Sequence, residues 1–289
     1  MHRNYYPFLM LSATLVVATP AAAVPFSFST GNPDGLMATG SRPSSAGTKE
    51  IESADDFVLD QTTSIDHATF TGLLTGGTVG EVRVEIYRVF PNDSDVNRTS
   101  GPPTFSTSQV PTRFNSPSDV ELADRDTADG NLSFTTTGLG VGSFTALNSV
   151  LNGINPKPNQ TTGGEGSVTG QEVQFDVTFT TPFLLSPDHY FFVPQVEVTG
   201  GDFLWLSAPK PIVAPGTSFT PDLQSWIRNE DLAPDWLRIG TDIVGGTPAP
   251  TFNATFSLAG TVPEPSTIAL LLGGLSLFPW VSQRRRDAR

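Results

Sequence analysis

Along the middle of the chain, hydrophobic residues recur at every second position, in short runs separated by Gly, Pro, Asn and Ser. In Glu81-Val-Arg-Val-Glu-Ile-Tyr87, Val82, Val84 and Ile86 fall on one face and the charged residues on the other. Glu172–Phe179 does the same with Val173, Phe175, Val177 and Phe179, and Phe252, Ala254, Phe256 and Leu258 repeat the pattern further on. Asp56–Leu59, Ser64–Leu74, Leu132–Thr136, Tyr190–Val198 and Phe203–Ser207 are further runs of this kind. Period-two alternation bounded by turn residues marks half-buried antiparallel strands, and the wealth of Thr and Phe agrees. About eight to ten such strands predict an all-β fold: a single antiparallel β-sandwich, jelly-roll-like, over residues 24–260. Helix is expected only at Phe144–Leu151 and at Thr220–Asn229, the latter opened by Pro221-Asp222. No repeat of fixed period is visible, which argues against a propeller or solenoid. Two stretches break the rhythm, Phe90–Asp129 and Asn152–Gly170. Unstructured loops of that length in a compact domain are functional or mobile.

Composition sharpens this picture. The chain has 289 residues with 27 Gly and 25 Pro, short of a low-complexity profile, and its 20 Phe and 4 Trp can fill a core. Sixteen basic against 29 acidic residues give a net charge of −13, which excludes nucleic acid as a partner of the main domain. With no cysteine there are no disulfides, thiolate metal sites or cysteine nucleophiles.

The two ends differ from the middle. Residues 1–23 carry a basic start at Arg3, an apolar stretch from Phe8 to Ala18, and small residues at Ala21 and Ala23. This is the layout of a secretory signal cut by signal peptidase after Ala23. Residues 261–289 hold Val262-Pro263-Glu264-Pro265-Ser266, then an uncharged stretch from Thr267 to Val281, then Arg284, Arg285 and Arg286. The uncharged stretch is a short membrane span, with Trp280 at the interface and the arginines on the cytoplasmic side. Without Arg3, Arg284, Arg285, Arg286, Arg289 and Asp287, the formal charge falls from −13 to −17.

In its order and spacing, this tail resembles the PEP-CTERM sorting signal of Gram-negative bacteria. The resemblance covers residues 262–289 and implies recognition of Pro263, Glu264 and Pro265 by the membrane protease exosortase, with Arg284–Arg286 as the stop-transfer cluster. It implies a precursor held transiently in the inner membrane, then a product at the outer surface or outside the cell, in a setting of exopolysaccharide and biofilm. The two prolines keep the motif extended and short of backbone donors, as a protease groove requires. The expectation for residues 24–260 is a structural or adhesive envelope or matrix protein rather than an enzyme. The alternative is a secreted carbohydrate-binding module or polysaccharide-acting hydrolase.

Candidate chemistry in the middle is sparse. Asp93, Asp95 and Asn97 open like an EF-hand loop, but Arg98 and Thr104 stand where Gly and Glu are needed. Asp124, Asp126 and Asp129 form a second acidic cluster, so calcium at either loop is weighed against an ordinary solvated turn. His67 and His189 are the histidines outside the signal, and no Gly-x-Ser-x-Gly elbow accompanies them. Trp205, Trp226 and Trp236 are candidates for stacking on sugar rings, with core anchoring as the alternative.

Overall fold

The computed structural model describes residues 23–45, 47–95, 110–140, 142–154, 161–214, 217 and 219–263. The chain passes repeatedly between two sheets. Strands β1 (Val24–Ser29) and β2 (Met37–Gly40) lie in the first sheet, and β3 (Ile51–Leu59) lies in the second. Next, β4 (Thr63–Leu74) returns to the first, and β5 (Thr78–Arg88) and β6 (Ala123–Asp126) to the second. The first sheet then takes β7 (Leu132–Gly138), β8 (Phe144–Ala146), β9 (Asn148–Val150) and β10 (Val168–Leu185). After β11 (Asp188–Thr199) in the second and β12 (Phe203–Ala208) in the first, β13 (Trp226–Asn229) and β14 (Leu237–Arg238) complete the second. A π-helical turn (Ile239–Val244) leads to β15 (Asn253–Ala254) and β16 (Phe256–Val262), which complete the first.

The ten-stranded sheet is organised on β4. One edge of β4 pairs with β10, whose register shifts between Thr178 and Phe183. The other edge is shared end to end by β16, opposite Ser64 to Phe70, and β12, opposite Gly72 to Leu74. Gly72 sits at the handover: a Cβ there would lie 2.2 Å from the Phe203 ring and 2.7 Å from the Leu204 carbonyl oxygen. Only a residue without a side chain permits that approach. The six-stranded sheet runs β14-β13-β3-β11-β5-β6, and its registered pairs are antiparallel. In the first sheet β2 and β9 run parallel.

The inner faces meet in an aromatic core. Phe57, Val84, Tyr190 and Phe192 of the second sheet pack against Phe70, Phe175, Trp205 and Phe256 of the first. Phe192 stacks on Phe256 across the sandwich with centroids 5.0 Å apart, and Phe70 on Phe175 within the first sheet at 4.9 Å. Each such pair adds about 0.5–1.5 kcal/mol beyond the area it buries.

Both expected helices are replaced by other structure. Phe144–Leu151 forms β8, held on the end of β10, and β9, held beside β2. Eight residues carry little helical stability of their own, so tertiary pairing decides. Thr220–Asn229 is irregular until β13, because the Asp222 side chain is drawn to Lys210 and the Ile212 amide rather than to a helical turn. Thr255 divides the run Phe252–Leu258: its hydroxyl donates to the carbonyls of Thr71 and Leu206, so β15 ends and β16 begins around it. The long Phe90–Asp129 segment contains β6, and its part from residue 110 to 122 lies on the outer face of the second sheet.

Candidate functional site

Within the second sheet, β3 is buried on both faces. Every residue of β3 from Ile51 to Phe57 is buried, although the run includes Glu52, Asp55 and Asp56. On the outer face, Glu52 and Arg228 form a paired fork: Arg228 Nη2 donates to Glu52 Oε1 at 2.8 Å, and Nε donates to Oε2. The Tyr87 hydroxyl lies 2.8 Å from Glu52 Oε1 and 3.0 Å from Glu85 Oε2, and receives Arg228 Nη2 at 2.8 Å. The Arg228 guanidinium also stacks 4.3 Å from the Trp236 ring centroid.

Protons complete this arrangement. Burial, followed by the charges of Glu52 and Glu121, holds the Glu85 carboxyl well above the usual range. A phenol has one proton to donate, so Tyr87 donates to only one of Glu52 and Glu85 at a time. Burial and Glu52 push the Tyr87 phenol up as well, so it stays neutral. Burial opposes the charge on Arg228, but Glu52, Tyr87 and Glu85 together keep its pKa above the ordinary guanidinium value. Glu50 is raised by burial and by Glu52, and Glu121 by burial and by Asp124.

A second acidic pair closes one end of the sandwich. Asp55 accepts from the Ser225 hydroxyl at 3.1 Å and the Ala254 amide at 2.8 Å, and Asp56 meets His189 Nε2 at 2.7 Å and accepts from the Leu223 amide at 3.2 Å. Burial and the neighbouring Asp56 hold Asp55 well above the usual range. Burial raises Asp56, against the opposing pull of His189. Both groups tie Leu223 and Ser225 to β3, a structural task that reading along the sequence missed. Its only signal was acidic residues running straight into the apolar Phe57-Val58-Leu59.

Beside these groups opens a cleft of about 280 Å³, lined by Phe114, Asn115, Lys210, Asp222, Gln224, Trp226 and Arg238, among others. Trp226 is 1% exposed and Phe114 is 60% exposed, so the first forms its floor and the second its rim. No acceptor among the described residues reaches Trp226 Nε1.

The residues singled out from the sequence fall as follows. Trp205, Trp226 and Trp236 are 1%, 1% and 2% exposed, which corrects the stacking expectation: solvent does not reach these ring faces. Trp205 Nε1 donates to the Thr255 carbonyl and Trp236 Nε1 to the Ser118 carbonyl, so two of the three indoles are held by the backbone. Asp93 pairs with Arg88 at 3.4 Å, and Asp93 and Asp95 line one shallow cleft, but among the described residues no three His, Cys, Asp or Glu side chains converge as a metal site. Asp126 pairs with Arg83 at 3.7 Å and accepts from the Asp129 amide, and Asp124, two residues earlier on β6, lies on the same face. His67 lies on the wet face of β4, 3.1 Å from Asp176. Ala23 and Pro263 border the first and last strands. Ala21, Glu264, Pro265, Arg284, Arg285 and Arg286 lie outside the described residues. Among the described residues no helix is long and apolar enough to cross a membrane. The fold and site thus define an all-β sandwich with acid–arginine networks built into one sheet. No family model, curated protein or solved structure matches the chain.

Proposed function

We propose that this chain is an exported protein sorted through its C-terminal tail. Signal peptidase removes residues 1–23, the Thr267–Val281 span holds the precursor in the inner membrane, and exosortase acts at Pro263-Glu264-Pro265. The sandwich is then a structural or adhesive component of the outer surface or extracellular matrix, associated with exopolysaccharide. The observation that carries the reading is the tail itself, in which motif, uncharged stretch and arginines follow in order directly after β16 ends at Val262. That junction supports it, since a motif with no slack before the folded body needs its own extended geometry, and the two prolines supply it. The alternation of the chain between sheets supports a jelly-roll-like connection.

A polysaccharide hydrolase would need two carboxyl groups facing an open cleft. Glu52 and Glu85 do converge, but they are 2% and 3% exposed behind Tyr87 and Arg228, which favours the non-enzymatic reading.

Glu264→Lys reverses the motif's charge and leaves the span and arginines intact. Precursor should accumulate in the inner membrane, seen by immunoblotting of fractions. Residues 261–289 fused to an unrelated exported domain should be processed in the same cells. An unprocessed fusion beside a processed native protein overturns the proposal.

A further inference from the structure

We infer that the cleft between Phe114 and Arg238 binds one pyranose unit of a saccharide. This goes beyond the routing proposal, which concerns the tail. The first ground is an orphaned donor. Trp226 is 1% exposed, borders the cleft, and its indole N–H meets no acceptor among the described residues, whereas Trp205 and Trp236 both have one. A buried donor without a partner is costly, and since Trp226 Nε1 is sealed from solvent, a ligand oxygen removes that cost by shifting the cleft floor as it binds.

The second ground is the character of the walls. The Gln224 carbonyl oxygen is occupied by the Thr241 hydroxyl at 2.9 Å, which leaves its amide N–H groups for another partner. Arg238 commits Nε and Nη2 to Asp242 and is thereby held rigid beside the cleft. With the Asp222 carboxylate already held by Lys210 and the Ile212 amide, the Gln224 amide is the donor left for a ligand rich in hydroxyl and ring oxygens. The third ground is Phe114, an aromatic ring 60% exposed at the rim beside Asn115. An aromatic face packs against the C–H face of a sugar, and the amides read the hydroxyls around its edge. Size agrees: about 280 Å³ lies just below the range of drug-sized sites and suits a single ring.

The test uses the full chain in detergent micelles, passed over immobilised oligosaccharides of neutral hexoses, amino sugars and uronic acids. At least one class should be retained. Phe114→Ala should weaken that retention about tenfold, the loss of one stacked contact. Trp226→Phe should weaken it too, and because the smaller ring leaves a cavity and lowers the melting temperature, retention is compared well below the melting temperatures of both proteins. Should Trp226→Phe fail to fold, Gln224→Ala and the surface change Phe114→Ala carry the test. Retention of no class, or retention unaffected by Phe114→Ala, overturns the inference. Sugar binding that survives alongside an unprocessed tail fusion would sink the routing proposal alone, and the reverse pattern would sink this one alone.

Discussion

Strands β10 and β3 are both long, both central to their sheets, and opposite in character. On β10, Val173, Phe175, Val177 and Phe179 face the core while Glu172, Gln174, Asp176 and Thr178 face outward, where His67 and the β7 hydroxyls lie. On β3 the outward positions are as dry as the inward ones, because the 110–122 segment, Leu223 and Trp236 cover them. A sheet face in contact with water tolerates charge at almost no cost. A covered face accepts charge only with partners, and on this face Glu52 meets Arg228 and Asp56 meets His189.

The largest effect should come from leaving one of these ions alone. Arg228→Ala strands Glu52 and should cost about 3–5 kcal/mol by urea unfolding. The double change Glu52→Leu with Arg228→Met should recover most of that loss, since a packed apolar pair replaces the ions. If the double variant is no more stable than the single one, the network is not the reason β3 is stable as a covered strand.

An intermediate effect should appear with pH. Glu85, Asp55, Asp56, Glu50 and Glu121 have folded pKa values raised above the unfolded range of roughly 3.9–4.3. The folded state therefore binds more protons, and their contribution is full below that range and lost as pH rises through the folded values. Thermal melts should thus fall from pH 5 towards pH 8, and Glu85→Gln should flatten the slope. Melting temperatures that climb over this interval would contradict the raised carboxyls.

The smallest effect belongs to β10. Asp176→Ala removes the partner of His67 on the wet face and should shift stability by no more than about 0.5 kcal/mol. A loss comparable with that of Arg228→Ala would erase the distinction between the two faces.

This distinction also explains what could be read from the residues in order. Alternation located β10 and the first half of β5 because water on one side enforces a polar residue at every second place, whereas β11 and β12 stood out as apolar runs, with most of β11 and all of β12 buried. It caught only the end of β3, since Glu52, Ser53, Asp55 and Asp56 look solvated until the covering segments are known. It placed helices where β8, β9 and β13 form, because these strands are too short to carry a period and exist through their neighbours. Of the site, the tryptophans were visible as a group, but burial was not. Nothing local separates the orphaned Trp226 from the satisfied Trp205, and the exposed Phe114 lay in a stretch with no pattern at all.

The adjacency of the first and last strands has a kinetic consequence. β16 sits between β1 and β4, and the Thr30 hydroxyl and amide join Phe256 across an interval of 226 residues. Closing so wide a loop comes late and slowly in a chain of high contact order. Until β16 docks, the edges of β1 and β4 stand open and Phe192 lacks the ring it stacks against. A nascent copy therefore stays short of its native state until its final strand is available. That delay leaves the aromatic core incomplete until nearly the whole of the described chain has been made.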